Sequence, residues 1–335
     1  MGPLPAPSAP DLPPAGRLWD LVTVHAVARC LHTVAEFGVA DAIGDSPLPV
    51  SVIASRSGLH PDALHRMLRL LAAHGVFAQA TDGYAHTEAS ALLRTDHPQS
   101  MRAFARMMGM PIAWSGFTEL AHAARTGRPA TDWAAMLDYF ESHPEEAALF
   151  NQAMVDKSRA VLPAVMAAYD FGAFPVVADV GGGRGHLLQA ILAGWPSVRG
   201  VLFELPRVIA DAASTASPRL QLVAGDFFQD PLPRADAYVL MEVLHDWDDH
   251  DAQRILRAIR DSAPAHARLL VIETLVPKAA IPHPGQVLDI IMLAVTGGRE
   301  RTEGHYANLL AKGGWSLRRV IPTASPLSLV DAEPA

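Results

Sequence analysis

Residues 241–256, MEVLHDWDDHDAQRIL, concentrate titratable side chains in a short stretch of the chain. Neutral imidazole titrates in the range that is needed to take a proton from a hydroxyl group. Asp248, Asp249 and Asp251 precede a helical apolar pattern, so N-capping and the helix macrodipole explain these three acids. His245 comes just before that helix start and has no such structural explanation. It is the candidate general base of this stretch.

A metal site is the other interpretation of the same stretch, because it holds two histidines and four aspartates. One short run does not by itself bring ligands to one point in space, and the aspartates already have a role at the helix start. The sequence therefore predicts no metal.

A second chemical signal lies at residues 174–186, FPVVADVGGGRGH. The short apolar run predicts a buried strand at 176–180, and an amphipathic helix begins after the glycines. Glycines let the backbone turn sharply and let a ligand approach main-chain N–H groups, while a helix N-terminus favours an anion. This turn is predicted to bind a ligand with a negative group.

The glycine spacing selects among cofactors. Gly181, Gly183 and Gly185 satisfy G-x-G-x-G, whereas the dinucleotide fingerprint G-x-G-x-x-G needs a glycine where His186 stands. A P-loop is excluded because Lys followed by Ser or Thr is missing from the loop. The pattern G-x-G-x-G after a strand that ends in an acid is typical of enzymes that use S-adenosylmethionine (SAM), so SAM is the predicted cofactor.

Acidic residues at two later strand ends support this prediction. Glu204 ends the next strand in VLFELP, 23 residues after Gly181, where a carboxylate can accept both ribose hydroxyls. Asp226 and Phe227 follow in GDFF, where a carboxylate can accept from the adenine amine and a ring can cover the base. Capping by either acid and a core position for Phe227 are the structural alternatives.

Such sites need strands that end at one edge of a sheet, and after Asp170 the pattern alternates strand and helix as a doubly wound sheet does. A short helical segment is also expected after Pro231. Residues 170–335 are therefore predicted to form an α/β, Rossmann-like catalytic domain. Its strands are predicted at 176–180, 200–203, 220–223, 237–240, 269–273, 316–321 and 327–330.

The preceding residues are predicted to form a tail and two helical regions. Residues 1–16 hold six prolines and are expected to be a disordered tail that cannot fold as a helix. Residues 17–99 contain a winged helix-turn-helix pattern, with a hairpin at Asp82-Gly83. Residues 100–169 look helical and rich in methionine, which suits either an irregular core or an adaptable pocket for a flat substrate.

Composition limits the partners and the cell compartment. The formal net charge of −8 argues against nucleic acid, although a DNA-binding winged helix with Arg56, Arg66 and Arg69 is the alternative. The single cysteine, Cys30, cannot form an intramolecular disulfide, and we find neither a signal peptide nor an apolar run long enough for a bilayer. We expect a cytoplasmic protein with no membrane partner.

Taken in order, DVGGGRG, FELP, GDFF, LHDWDD and GGRERTEGHY resemble the motifs of SAM-dependent small-molecule O-methyltransferases. This family includes plant caffeic-acid-type and bacterial natural-product enzymes, and FNQAMVDKS resembles its linker helix. The resemblance covers about residues 17–330. It implies that the winged-helix region is a dimerisation domain, which forms a homodimer and closes the partner's substrate pocket instead of binding DNA.

The resemblance also implies a role for each matching residue. His245 matches the catalytic base, and Glu273 and Glu300 match two carboxylates that orient and polarise it. Phe150 and Met154 match positions that contact the substrate. Ser158 matches a position near the amino-acid end of the cofactor, and Asp246 and Trp247 match positions that flank the cofactor and the acceptor. Plant members often carry a lysine where this chain has Met241, so one polar contact to the cofactor is absent here.

The sequence thus predicts methyl transfer from SAM to a hydroxyl of a small aromatic or polyketide-like natural product, with S-adenosyl-L-homocysteine (SAH) as the second product. Two alternatives remain open. One is a ligand-sensing regulator that uses the winged helix on DNA, and the other is an N-methyltransferase or decarboxylase on the same scaffold.

Overall fold

The computed structural model describes residues 13–131 and 133–335, without the side chains of residues 133, 134 and 137. They form two compact units. The first unit holds the described residues up to Ser115 together with Leu137–Lys157. The second unit holds Gly116–Met136 and Ser158–Ala335.

Helices dominate the described chain up to Ala168, and one β-hairpin interrupts them. The hairpin strands are β1 (Phe77–Ala80) and β2 (Gly83–His86), which pair antiparallel. The helices are α1 (Pro14–Thr23), α2 (His25–Glu36), α3 (Val39–Ile43), α4 (Val50–Ser57), α5 (Pro61–Ala73), α6 (Glu88–Ala91), α7 (Arg102–Gly109), α8 (Pro111–Thr118), α9 (Leu120–Thr126), α10 (Trp133–Ser142) and α11 (Pro144–Ala168).

Helices α4 and α5 and the hairpin follow each other as the sequence predicts for a winged helix. Their apolar faces meet in one core, where Ile53, Leu64 and Phe77 are almost fully buried. Of the residues considered for DNA contact, Arg56 donates to the carbonyl of Ala42 at 2.9 Å. Its guanidinium thus has a partner inside the unit.

The first helix begins earlier than expected. Helix α1 begins at Pro14, inside the stretch 1–16 that the sequence predicts to be an extended tail, and that part of the prediction is wrong. Proline is pre-organised for the first helical position, where its missing N–H costs no hydrogen bond. The rest of the predicted tail, residues 1–12, lies outside the described residues.

The large sheet contains seven strands, and its order is β5-β4-β3-β6-β7-β9-β8. Strands β3 to β7 are parallel, whereas β9 runs antiparallel to β7 and β8. This confirms the predicted α/β, Rossmann-like doubly wound sheet. The elements are β3 (Val176–Val180), α12 (His186–Gly194), β4 (Arg199–Glu204), α13 (Pro206–Asp211), β5 (Leu220–Ala224), β6 (Ala237–Met241), α14 (Asp249–Ser262), β7 (Arg268–Thr274), α15 (Pro284–Val295), α16 (Glu303–Lys312), β8 (Trp315–Pro322) and β9 (Leu327–Pro334).

The prediction of a helix after Pro231 is wrong, because residues 225–236 join β5 to β6 and none of residues 231–236 is helical. Leu232 precedes Pro233, and the proline ring disfavours helical backbone angles for the residue before it, so a helix that begins at Pro231 is interrupted at its second residue. The Tyr238 hydroxyl forms hydrogen bonds with the backbone of this segment. It donates to the carbonyl of Pro233 at 2.9 Å and accepts from the N–H of Ala235 at 3.1 Å.

Both faces of the sheet carry apolar cores. On one face Leu240 and Val271 belong to a cluster with Ile255 of α14. The opposite cluster joins Val239 and Ile272 with residues of α11 and α12. Burial on both faces explains the near-continuous apolar strands that the sequence shows. Among the described residues, no helix is both long enough and apolar enough for a membrane span.

Candidate active site

The carboxyl ends of β3, β4, β5, β6 and β7 lie at one edge of the sheet, because these strands are parallel. The chain order reverses between β3 and β6, which are neighbours in the sheet. In open α/β sheets, ligands bind in the crevice beyond such a switch point. The loops that follow β3 and β6 are the glycine-rich turn and the turn that carries His245.

The glycine-rich turn contacts the end of β4 directly. Gly181 and Gly183 have φ angles of 72° and 56°, which side-chain-bearing residues rarely adopt. The N–H of Gly183 donates to Oε2 of Glu204 at 3.2 Å, and the N–H of Leu205 donates to Oε1 at 2.7 Å. Burial raises the pKa of Glu204, while these two backbone hydrogen bonds oppose the rise. The predicted glycine loop and ribose acid therefore lie together.

Asp179 lies beneath the same turn, on β3, and its side chain is 1% exposed. Neither carboxylate oxygen has a hydrogen-bond partner among the described residues. Burial, and next the charge of Glu204, raise its pKa to about 7. The sequence shows an acid at this position, but its burial without a partner is visible only in the structure. It was not among the predicted site residues.

Asp226 follows β5, and both of its carboxylate oxygens bind its own loop. Oδ1 accepts from the N–H of Phe228 at 2.8 Å, and Oδ2 accepts from the side chain of Gln229 at 2.7 Å. Asp226 therefore stabilises its own loop, as the structural alternative predicts. A hydrogen bond from the adenine amine would need a second lone pair on one of the Asp226 carboxylate oxygens. Next to it, the ring centroid of Phe227 lies 5.8 Å from that of Trp247 in an edge-to-face arrangement.

His245 lies in a short 3₁₀ turn, residues Leu244–Asp246, that follows β6. Glu273 at the end of β7 stabilises this turn from below. Its Oε1 accepts from the N–H groups of Val243, Leu244 and His245, at 3.1, 3.0 and 3.3 Å. Its Oε2 lies 3.6 Å from Nδ1 of His245. Glu273 therefore bonds the backbone of the turn and lies near the ring without a hydrogen bond to it.

Glu300 bonds the imidazole itself. Its Oε1 lies 2.7 Å from Nδ1 of His245, and both residues are 5% exposed. An ionised carboxylate can only accept, so we assign the proton of this bond to Nδ1. Nε2 is then the nitrogen that can take a proton from a substrate when the ring is neutral.

The charges around His245 set its proton affinity. Burial lowers the pKa of the imidazole, but the nearby charges of Glu273, Asp246 and Glu300 outweigh burial and raise the pKa to about 10. The Oδ1 atom of Asp246 lies 3.9 Å from Nε2. The surrounding acids therefore favour the protonated form of the ring in the cofactor-free protein.

Residues 298–301 wrap around the same turn. A Cβ atom on Gly298 would overlap the carbonyl oxygen of His245, so only glycine fits this close approach. The N–H of Arg299 donates to that carbonyl at 2.8 Å. The GGRERT motif thus contributes more than Glu300 to the site. The sequence signal was present, but sequence reasoning singled out only the acid.

The remaining predicted contacts lie on α11. Phe150 and Met154 belong to the first unit and pack against an apolar cluster that contains Met107 and Met110. Ser158 belongs to the second unit and is half-buried. The predicted contacts of these residues with acceptor and cofactor stay predictions.

Two family models match the chain. A model of the O-methyltransferase dimerisation domain matches residues 19–96, and a model of the O-methyltransferase domain matches residues 117–316, which is more than half of the chain. The chain belongs to the O-methyltransferase family. The resemblance drawn from its motifs is therefore confirmed, as is the prediction of an enzyme that transfers methyl groups.

Curated relatives match this O-methyltransferase over almost its full length. A phenazine O-methyltransferase of Lysobacter antibioticus is 37% identical, with 96% of this chain and 97% of the relative covered. A mitomycin biosynthesis 6-O-methyltransferase of Streptomyces lavendulae is 35% identical, with 91% and 90% covered. An 8-amino-8-demethylriboflavin N,N-dimethyltransferase of Streptomyces davaonensis is 32% identical, with 96% of each chain covered. Close relatives thus methylate oxygen or nitrogen.

Solved structures of similar chains identify the methyl donor. A methyltransferase of calicheamicin biosynthesis, in its SAH-bound form, has a TM-score of 0.87 and 36% identity, with 96% of this chain and 98% of that chain covered. An O-methyltransferase from neocarzinostatin biosynthesis, in complex with SAM and 2-hydroxy-5-methyl naphthoic acid, has a TM-score of 0.78 and 34% identity, with 92% and 96% covered. The predicted cofactor, SAM, is confirmed.

Proposed function

We propose that this O-methyltransferase transfers a methyl group from SAM to a hydroxyl of a small aromatic or polyketide-like natural product, with His245 as the general base. The observation that carries the proposal is the buried pair of His245 and Glu300, with 2.7 Å between Nδ1 and Oε1. This bond orients the ring and leaves Nε2 to act on the acceptor. The names of two relatives, a phenazine O-methyltransferase and a mitomycin biosynthesis 6-O-methyltransferase, support the acceptor class.

In this mechanism Nε2 of His245 takes the proton of the acceptor hydroxyl while the oxygen forms its bond to the methyl carbon. The bond between that carbon and the sulfur of SAM breaks in the same step, and the leaving group is SAH. The carboxylates of Glu300 and Glu273 stabilise the imidazolium that results, because each lies within 3.6 Å of Nδ1. General-base catalysis of this kind contributes about 10²- to 10⁴-fold to a rate. Alignment of the reacting atoms contributes as well, since methyl transfer depends strictly on geometry.

SAM supplies the methyl group on a positively charged sulfur and also carries an α-ammonium, a carboxylate, a ribose and an adenine. The residues at the strand ends match these groups. Glu204 and Gly183 would hold the ribose side, while Asp226, Phe227 and Trp247 would hold the adenine side. The carboxylate of Asp179, which has no hydrogen-bond partner within residues 13–131 and 133–335, fits a cationic group, because a buried charge without a partner is costly. Ser158 remains a proposed contact near the amino-acid end.

We further propose that the enzyme is a homodimer formed through its dimerisation domain. Helix α1 has no buried residue, and its large apolar side chains are exposed, with Trp19 and Leu21 each at 71% and Val22 at 70%. An apolar face of this kind is typical of an interface between protein chains. A second copy of this chain is the partner that the matched domain implies.

A screen with methyl-labelled SAM tests the function. Hydroxylated phenazines and naphthoic acids are incubated with the wild-type enzyme and with His245→Ala, and the methylated atom is mapped by mass spectrometry and NMR. We expect label on a hydroxyl oxygen and a loss of about 10²-fold or more in His245→Ala. Label on nitrogen would establish N-methylation instead. Unchanged turnover of His245→Ala with acceptors of high and low pKa would rule out the general base.

A further inference from the structure

Arg301 is completely buried, yet it carries a permanent charge. Its Nε and Nη2 atoms lie 3.0 and 2.9 Å from Oδ1 of Asp249. Three further hydrogen bonds go to main-chain carbonyls: Nη1 donates to Leu244 at 2.8 Å and to Arg299 at 3.4 Å, and Nη2 donates to Trp247 at 2.8 Å. The guanidinium thus bonds Asp249 and the main chain on both sides of His245.

The carbonyls of Leu244 and Trp247 lie on either side of His245 in the chain. Leu244 precedes it and Trp247 comes two residues after it, so one rigid side chain bonds the backbone on both sides of the 3₁₀ turn. The turn needs such support, because Glu242 at its start has a φ of 54°. A residue other than glycine stays in this left-handed region only where its surroundings fix it.

The backbone of Arg301 is itself anchored to the sheet. Arg301 forms a parallel bridge with Leu275, and its carbonyl accepts from the N–H of Val276 at 3.1 Å. Leu275 lies directly beyond β7, the strand that carries Glu273. The sheet edge, the guanidinium and the His245 turn therefore form one continuous hydrogen-bonded frame.

We propose that Arg301 is a positioning residue for the base: its guanidinium fixes the turn so that Nδ1 of His245 meets Glu300. This inference rests on the proposed function for its catalytic consequence, although the position of the ring can be measured without turnover. Arg301 acts through the turn and contacts none of the atoms that would react. A lysine would keep the charge but would lose the planar fork that reaches both carbonyls and Asp249.

The test compares Arg301→Lys with Arg260→Lys. Arg260 is a matched control because it is half-buried in the same unit and donates to a carbonyl, that of Ala263 at 3.3 Å, while its guanidinium carbon lies 5.9 Å from the ring centroid of Trp315. The first readout is NMR of the cofactor-free protein. The hydrogen-bonded Nδ1–H proton of His245 is assigned by its loss in His245→Asn, and the ring is titrated.

In Arg301→Lys we expect this resonance to shift or disappear and the pKa of His245 to fall, because the bond to Glu300 loosens. The second readout is turnover. A misplacement of this kind is expected to lower kcat by about 10- to 100-fold. The loss should be large for an unsubstituted phenol and small for a nitrophenol whose hydroxyl is already ionised, with KM for the acceptor little changed. Arg260→Lys should match the wild type in every readout.

A folded Arg301→Lys with an unchanged resonance and titration would overturn the inference. Equal loss of turnover for both phenols would also overturn it, since that indicates a general structural effect. If Arg301→Lys does not fold, Asp249→Asn is the variant that tests the inference. Asp249 is exposed, so its replacement should allow folding. Loss of its carboxylate should shift the resonance in the same direction. No shift there would overturn the inference. An active His245→Ala enzyme would instead remove the proposed base, and the NMR result on Arg301 would stand.

Discussion

Nδ1 of His245 and Oε1 of Glu300 lie 2.7 Å apart in a site where both residues are 5% exposed. Charge-assisted hydrogen bonds of this length are among the strong ones in proteins, and low exposure protects them from screening by water. The pair fixes the tautomer of the ring as well as its orientation.

Replacement of Glu300 by glutamine should slow methyl transfer. Glu300→Gln removes the negative charge beside Nδ1, so the imidazolium that forms during catalysis loses stabilisation. We expect kcat to fall by about 10-fold or more, in line with the strength of a hydrogen bond to a charged group. Steady-state kinetics checks this, with Glu303→Gln as the control because Glu303 is an exposed residue in the first turn of α16. Equal activity of the two variants would contradict the role of Glu300.

Asp246→Asn should move the pH dependence of the reaction to lower pH. The carboxylate of Asp246 is among the charges that raise the pKa of His245 to about 10, so its neutralisation lowers that pKa. Only the neutral ring can accept a proton, so the rate rises with pH up to the pKa of the ring, and that rise should come at lower pH in the variant. The pH profile of kcat/KM with a weakly acidic phenol measures the shift. Asp261→Asn, at an exposed position on α14, should leave the profile in place.

The affinity for SAM should rise with pH in the neutral range. Burial raises the pKa of Asp179 to about 7 in the cofactor-free protein, so the carboxyl is partly protonated there. A cationic group of the cofactor favours the ionised form, and binding therefore releases a proton below that pKa. Calorimetry from about pH 6 to pH 8, in buffers of different ionisation enthalpy, measures both effects. In Asp179→Asn the pH dependence should vanish and binding should weaken, whereas a pH dependence that persists would refute the assignment.

Glu204→Ala should weaken the binding of SAM. The variant loses the carboxylate that holds the N–H groups of Gly183 and Leu205, and with it the proposed ribose acceptor. Two hydrogen bonds to a charged group support an expected loss of about 10- to 100-fold in affinity. Calorimetry at one pH is sufficient, with Asp261→Ala as a control on the protein surface. An unchanged affinity would remove Glu204 from the cofactor site.

Trp19→Ser should weaken the proposed dimer. Trp19 is 71% exposed on α1, and an interface would bury a large apolar side chain that water now surrounds. Analytical ultracentrifugation over a range of protein concentrations should show monomer appearing at concentrations where the wild type is dimeric. Val287→Ser, which is 66% exposed in the other unit, should keep the wild-type mass. A wild type that is monomeric at every concentration would contradict the dimer itself.

Most of the catalytic domain's fold could be predicted from the strand patterns and the motif spacing. The strand at Val176–Val180 has the bounds that the sequence predicts, and the other six sheet strands lie within a few residues of theirs. These predictions succeed because buried parallel strands need apolar β-branched residues, and the G-x-G-x-G turn needs glycines at left-handed positions. The misplaced start of α1 and the absent helix after Pro231 both involve proline, whose effect depends on where a helix would begin.

The sequence by itself determined the family, the doubly wound sheet and which acids stand at the ends of its strands, because each depends on local residue types at short spacing. Only the tertiary structure decided which hydrogen-bond partner each acid has. Glu300 bonds the ring, Glu273 bonds three backbone N–H groups, and Asp226 bonds its own loop. It also decided that Asp179 is buried with no hydrogen-bond partner in the described part of the chain, and that Arg301 bonds the backbone on both sides of His245. Residues from 179 to 301 meet at one edge only after the parallel strands pair. Hydrogen bonds between such distant segments produce no periodic pattern in the sequence, so they cannot be predicted from it.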